Sequence, residues 1–138
     1  MPGVKPFIQL GPRTYTVNSV VTGGQLVEPD GTTGKIKTAT AGSAKVLGQA
    51  ADDAAPTGSG TSTDYSTVRP EVAVYEAPAT VWLTYVADCA FGLKVVAAAT
   101  GQVTPVGTAA ASDGTAVVGI CTEPGGVLAG AKGRTKLV

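Results

Sequence analysis

The sequence predicts an all-β chain, a compact β-barrel or sandwich built from two related hairpin units, with an extended N-terminal arm and a long polar loop. Three observations predict it. Nineteen glycines and nine prolines, about one residue in five, punctuate the 138 residues too often for long helices but suit many short strands. Between these breakers lie short segments of alternating or half-apolar character rich in Val and Thr. Finally, one order of glycine, strand and turn occurs twice along the chain. The length suits one domain with a single core, over residues 14–138, preceded by an arm over residues 1–13. Hydrophobic residues make up 43%, with two Phe, one Trp and four Tyr among them, so the core is expected to consist of small side chains.

The arm carries Pro2, Pro6 and Pro12, a spacing that suits extended chain and not a helix. "TYTVNSVV" (residues 14–21) reads as a first strand, "GQLVEP" (24–29) as a second, "GKIKTA" (34–39) as a third and "AKVLGQA" (44–50) as a fourth. Residues 51–69, "ADDAAPTGSGTSTDYSTVR", lose the apolar period and read as the long polar loop. In "EVAVYEA", Val72 and Val74 share one face. In "TVWLTYVA", Val81, Leu83 and Tyr85 share one face and Trp82, Thr84 and Val86 the other. That second segment is apolar on both faces, so it is expected to be a central strand or to be covered by a partner. The last third repeats the first. "GQLVEPDGTTGKIKT" (24–38) corresponds to "GLKVVAAATGQVTP" (92–105), and "AKVLGQA" (44–50) to "TAVVGIC" (115–121), with Gly48 and Gly119 in equivalent places.

The Gly34-Lys35 pair invites a nucleotide-binding reading, which its neighbours refuse. A phosphate-cradling loop needs Gly, four spacers, then Gly-Lys-Ser/Thr, because backbone N–H groups wrap the phosphates and the hydroxyl holds magnesium. Here Pro29, with no N–H, stands at the first position and Ile36 at the hydroxyl position. Asp30-Gly31 is instead turn chemistry leading into a strand, and the second repeat has Gln102 where the lysine would be. Ten Lys+Arg balance ten Asp+Glu, so no electrostatic footprint for nucleic acid or an anionic membrane is present. No apolar run reaches bilayer length, and the first residues lack the apolar core of a signal peptide, so a soluble chain not secreted by the usual route is expected.

Zero histidines remove Ser-His-Asp and Cys-His nucleophilic sites and histidine-ligated metals. Ser43 with Lys45 lacks an oxyanion-forming helix start, and Asp52-Asp53 lacks an aromatic sugar platform. A calcium site from Asp52, Asp53 and Asp64 lacks EF-hand spacing. No enzyme, cofactor or metal is therefore expected. Cys89 and Cys121 read as small buried hydrophobes carrying reduced thiols.

The opening "MPGVKPFIQLGPRTYTV", the "TGGQLVEPDGTTGKIK" hairpin, "KVLGQAADDAAPTG", "VAVYEA" and the closing "FGLKVVAAATGQVTPV", "VVGICTEPGG" and "GRTKLV" together cover nearly the whole chain. On these stretches the sequence resembles the small head-decoration, or cement, proteins of tailed bacteriophages, particularly phages of actinobacteria. The resemblance implies a mainly β virion protein, assembled in the bacterial host cytoplasm, that binds the outer surface of a capsid built from the phage major capsid protein. It further implies a trimer at threefold or quasi-threefold positions, locking neighbouring capsomers against internal DNA pressure. In that frame the apolar arm residues Val4, Phe7, Ile8 and Leu10 are expected to contact the capsid or a neighbouring subunit, and Trp82 and Tyr85 to lie in the core or at a subunit interface. The alternative is a monomeric β-barrel module of a phage tail or fibre that binds a carbohydrate or small ligand, in which Trp82 or Tyr85 would line an open groove.

Overall fold

The structure, a computed structural model, describes residues 11–56, 69–106 and 116–138. Strand β2 (Leu26–Pro29) turns at Asp30-Gly31 into β3 (Ile36–Thr38), pairing Val27 with Thr38 and Pro29 with Ile36. Gly31 (φ 56°) and Gly34 (φ 75°) take left-handed backbone that a side chain would resist. The Asp30 N–H donates to the Lys35 carbonyl at 2.8 Å, and the Thr33 hydroxyl to the Asp30 carbonyl at 2.7 Å. The Gly-Lys pair is thus the tip of a β-hairpin.

Around this hairpin β1 (Arg13–Thr16), β4 (Gly48–Ala50) and β5 (Glu71–Glu76) complete an antiparallel sheet in the order β1-β5-β4-β2-β3. The second half forms β6 (Thr80–Thr84), β7 (Lys94–Ala97), β8 (Val103–Pro105), β9 (Val117–Cys121) and β10 (Lys132–Leu137), in the order β6-β10-β9-β7-β8. Adding five to each number of the first order gives the second. The two five-stranded sheets pack as a compact sandwich, and the repetition extends to register. Val27 opposite Gly48 matches Val95 opposite Gly119, and Ala50 opposite Val74 matches Cys121 opposite Thr135. Even isolated bridges recur: Val17 to Ile36 matches Tyr85 to Val103, and Val21 to Ala54 matches Cys89 to Val127. The first of these matched pairs, Val17 to Ile36 and Tyr85 to Val103, links the two outer strands of each sheet, so each sheet curls until its edges touch, which leaves little open edge for mispairing.

Small side chains fill both interiors. One cluster, with Val17, Val21, Val27, Ile36, Val72 and Val74, belongs to the first repeat. The other gathers Val81, Leu83, Tyr85, Val95, Val103, Cys121 and Leu137 from the second repeat and takes in Leu26 and Ala39 from the first. Each fully buried aliphatic side chain contributes about 1.5–3 kcal/mol. Leu26 and Ala39 thereby fasten one half to the other.

Several sequence expectations change in extent. The repeated unit is a whole sheet, not only a hairpin: "EVAVYEA" closes the first sheet as β5 and "TVWLTYVA" opens the second as β6. Strand β6 is accordingly not central; it lies at the end of its sheet order, with Trp82 57% exposed and Val86 39% exposed. "TYTVNSVV" is not one strand, because the chain bends after Val17, and Val17 and Val21 bridge to different partners. "AKVLGQA" forms a strand over Gly48–Ala50, its beginning lying outside the ladder. Strand β1 starts at Arg13, and the start of the polar loop is fastened by Ala54, which bridges both Val21 and Arg69. Residues 57–68 of that loop and residues 1–10 of the arm lie outside the described residues.

Candidate interaction surface

Alternation along β6 sends Val81 and Leu83 inward and Trp82 outward. Strand β10 places Arg134 directly opposite Trp82, with the guanidinium 6.0 Å from the indole centroid, a cation–π distance. Arg134 is itself held by Glu123, whose Oε1 accepts from Arg134 Nε at 2.9 Å and from the Arg134 backbone N–H at 3.0 Å. The side-chain bond from Arg134, then its backbone N–H, hold the Glu123 carboxyl below its ordinary value, and the same pairing raises Arg134. Trp82 borders a groove of about 130 Å³ whose walls come from both repeats, with Thr22, Gln25, Gly101, Gln102 and Lys132 among them. The Gln49 amide spans the junction, donating to the Gly24 carbonyl at 3.0 Å and also to the Trp82 carbonyl.

A second, open concavity of about 580 Å³ lies between the 88–93 and 124–128 segments. Phe91 (60% exposed), Leu93 (47%) and Leu128 (72%) rim it, three large apolar side chains facing water. Contiguous apolar exposure of this kind marks interaction sites more often than solvent-facing surface. Asp88 fixes one wall by accepting the Ala129 N–H at 2.8 Å. Sequence reasoning passed over these residues because they flank turn glycines; the signal was there in "AFGL", where Phe91 precedes the left-handed Gly92 (φ 86°) and so has no inward strand position.

The residues singled out from sequence fall in different places. Val4, Phe7, Ile8 and Leu10 lie outside the described residues. Tyr85 is fully buried, its hydroxyl 2.6 Å from Thr135 Oγ1, and burial pushes its pKa up. Trp82 is not in the core. Cys89 and Cys121 are buried and unbridged, and burial, with Cys121 adding to it, pushes the Cys89 thiol up to about 12. Ser43 serves structure: its hydroxyl donates to Glu28 and accepts the Lys45 N–H at 3.1 Å. Glu28, 6% exposed, also accepts from the Thr40 N–H and hydroxyl at 3.2 and 3.1 Å. Asp53 accepts the Gly23 N–H at 2.8 Å, and Asp52 and Asp53 together line one open depression with Arg69 and Glu71; Asp64 is outside the described residues. Asp52 and Asp53 thus share a depression with Arg69, but no group of three or more metal-ligating side chains gathers among the described residues, and the other surfaces that the structure assembles are an aromatic groove and an apolar rim.

No protein-family model matches the chain, and no curated protein matches it. Among solved structures, the crystal structure of the head fiber gp8.5 N base in bacteriophage phi29 matches with a TM-score of 0.59 and 16% sequence identity, covering 92% of this chain and 92% of that one. At that identity the likeness establishes a shared fold, and it establishes it over almost the full length of both chains.

Proposed function

We propose that this chain is a structural protein of a phage virion that binds the outer surface of the assembled capsid and stabilises contacts between capsomers as a trimer at threefold or quasi-threefold sites. The observation that carries this reading is the full-length match in fold to the base of a phage head fiber. The apolar rim of Phe91, Leu93 and Leu128 supports it, since a clamp works through surfaces and needs apolar area to bury. The partner is the major capsid protein, and the arm residues Val4, Phe7, Ile8 and Leu10 supply part of the contact. The role is non-enzymatic and needs no cofactor. Balanced charge, with ten basic and ten acidic residues, gives nucleic acid and anionic membranes no purchase. The test is co-sedimentation of purified protein with phage capsids lacking it. Saturable binding in multiples of three per site, with a rise in capsid disruption temperature, is the expected result; absence of binding at tens of micromolar overturns the reading.

One observation favours a second reading. Trp82 borders an open groove, the position expected in a carbohydrate-binding fibre module. Trp82→Ala with glycan and capsid binding assays separates the two: glycan binding that is lost in the variant, by a protein that does not bind capsids, supports the module and sinks the clamp, whereas capsid occupancy without glycan binding in either protein sinks the module.

A further inference from the structure

The two repeats meet through faces that are not equivalent. On the first repeat, Gln25, Leu26 and Ala39 form the contact; on the second, Gly101 fits so closely that a Cβ there would lie 2.7 Å from the Gln25 Cβ and 2.9 Å from the Leu26 backbone. The Gly101 N–H also donates to the Ala39 carbonyl at 3.3 Å. Register equates Leu26 with Lys94, and the next positions equate Gln25 with Leu93; the matched bonds of Ala39 to Leu26 and of Val106 to Lys94 equate Ala39 with Val106. The turns equate Gly101 with Gly34, as Asp30 bonds Lys35 where Ala98 bonds Gln102. A twofold arrangement would seat Gly34 against Leu93 and Lys94. Instead Gly34 has nothing within 4 Å of its Cβ position.

Each face is consequently used once and exposed once. Leu26 and Ala39 are buried, yet Leu93, Lys94 and Val106 are exposed; Gly101 is buried, yet Gly34 and Lys35 are exposed. Elsewhere like meets like: the groove between 43–48 and 116–118 is lined by equivalent segments of the two repeats. Like meeting like on one side and unlike faces meeting on another is the pattern of units set around a common rotation axis. We infer that a second copy of this chain continues the internal contact head to tail, the Leu93–Val106 face of one copy seating the Gly34–Lys35 hairpin tip of the next. The inference rests on the self-association proposed above and assigns its surface. Three copies joined this way present six repeats in a ring.

Gln102, the equivalent of Lys35, lines the same groove as Gln25, the equivalent of Leu93, so cysteines at 93 and 35 should meet across the contact. The experiment mixes Leu93→Cys protein with Lys35→Cys protein under mild oxidation and reads covalent dimer on a non-reducing gel, with light scattering on the same samples. Expected is dimer at least tenfold above either variant alone, and a ladder ending at three chains in the double variant. Dimer from Leu93→Cys alone would show a like-to-like contact and overturn the inference. No cross-link in a sample whose scattering mass is still oligomeric overturns the assigned face while leaving self-association standing. A monomer mass at every concentration removes self-association and this inference with it.

Discussion

Gly48 and Gly119 occupy equivalent places in the two repeats, and replacing either with alanine measures how tightly the repeat is closed. Both have backbone angles open to any residue, so the cost is steric and not conformational. A Cβ on Gly48 would lie 2.0 Å from the Tyr75 carbonyl oxygen and 2.8 Å from its carbon, both backbone atoms of the neighbouring strand β5. Ordinary van der Waals contact needs more than 3.4 Å, so β4 and β5 must part by over an ångström where Gly48 faces Glu76 and Gln49 faces Tyr75. Overpacking costs about 1–3 kcal/mol, and one or two weakened ladder bonds add about 1 kcal/mol each. The sum for Gly48→Ala is about 2–5 kcal/mol, which for a chain of this size lowers Tm by roughly 6–20 °C. At Gly119 the nearest atom, the Lys136 carbonyl oxygen, is 2.5 Å away, so Gly119→Ala should cost about 1–3 kcal/mol. Gly125, with nothing within 4 Å, is the control, expected within about 0.5 kcal/mol of wild type. Thermal melts followed by circular dichroism, with urea titration to obtain the free energies, give the ranking. A Gly48→Ala protein that melts within 2 °C of wild type, or one more stable than Gly119→Ala, would refute the close approach of β4 and β5.

Alkylation without reductant should leave Cys89 and Cys121 unmodified in the folded protein and label both once it is unfolded; a thiol with a pKa of about 12 is thiolate in only about one molecule in ten thousand at pH 8. An unlabelled pair after unfolding would mean a bridge. The same shift has a sign in stability: the folded Cys89 value lies above the ordinary 9.0, so its contribution is complete below pH 9 and is lost as pH rises toward 12, and melts across that window should fall with pH. Glu28→Ala strands the Thr40 and Ser43 donors beside a nearly buried site and should cost about 1–3 kcal/mol in urea unfolding, whereas an unchanged midpoint would mean that water replaces the carboxylate freely. Deleting residues 2–12 should leave the body folded, with unchanged Tm, while capsid occupancy in co-sedimentation collapses; a truncated protein that loses Tm instead would place the arm on its own domain.

The strands, their hairpins and the repetition were legible in the sequence because each is a local property. Breaker spacing sets strand length, two-residue alternation sets Val72, Val74, Val81 and Leu83 on inward faces, and Asp30-Gly31 fixes a turn without help from the rest of the chain. The equivalence of Gly48 and Gly119 was visible for the same reason, although the cause of it was not: both glycines exist because a neighbouring carbonyl, on strands distant in sequence, comes within 2.0 and 2.5 Å of where a Cβ would be. Trp82 and Tyr85 show the boundary of local reasoning. Three residues apart on one apolar run, they differ in burial from 57% exposed to none, because only the packing of the second sheet decides which face of β6 is covered. The apolar rim at Phe91 and Leu93 and the unlike faces joining the repeats likewise belong to tertiary structure. Two copies of one unit have the same pattern in sequence, and which surface of each copy is buried is decided by how the copies are set against one another.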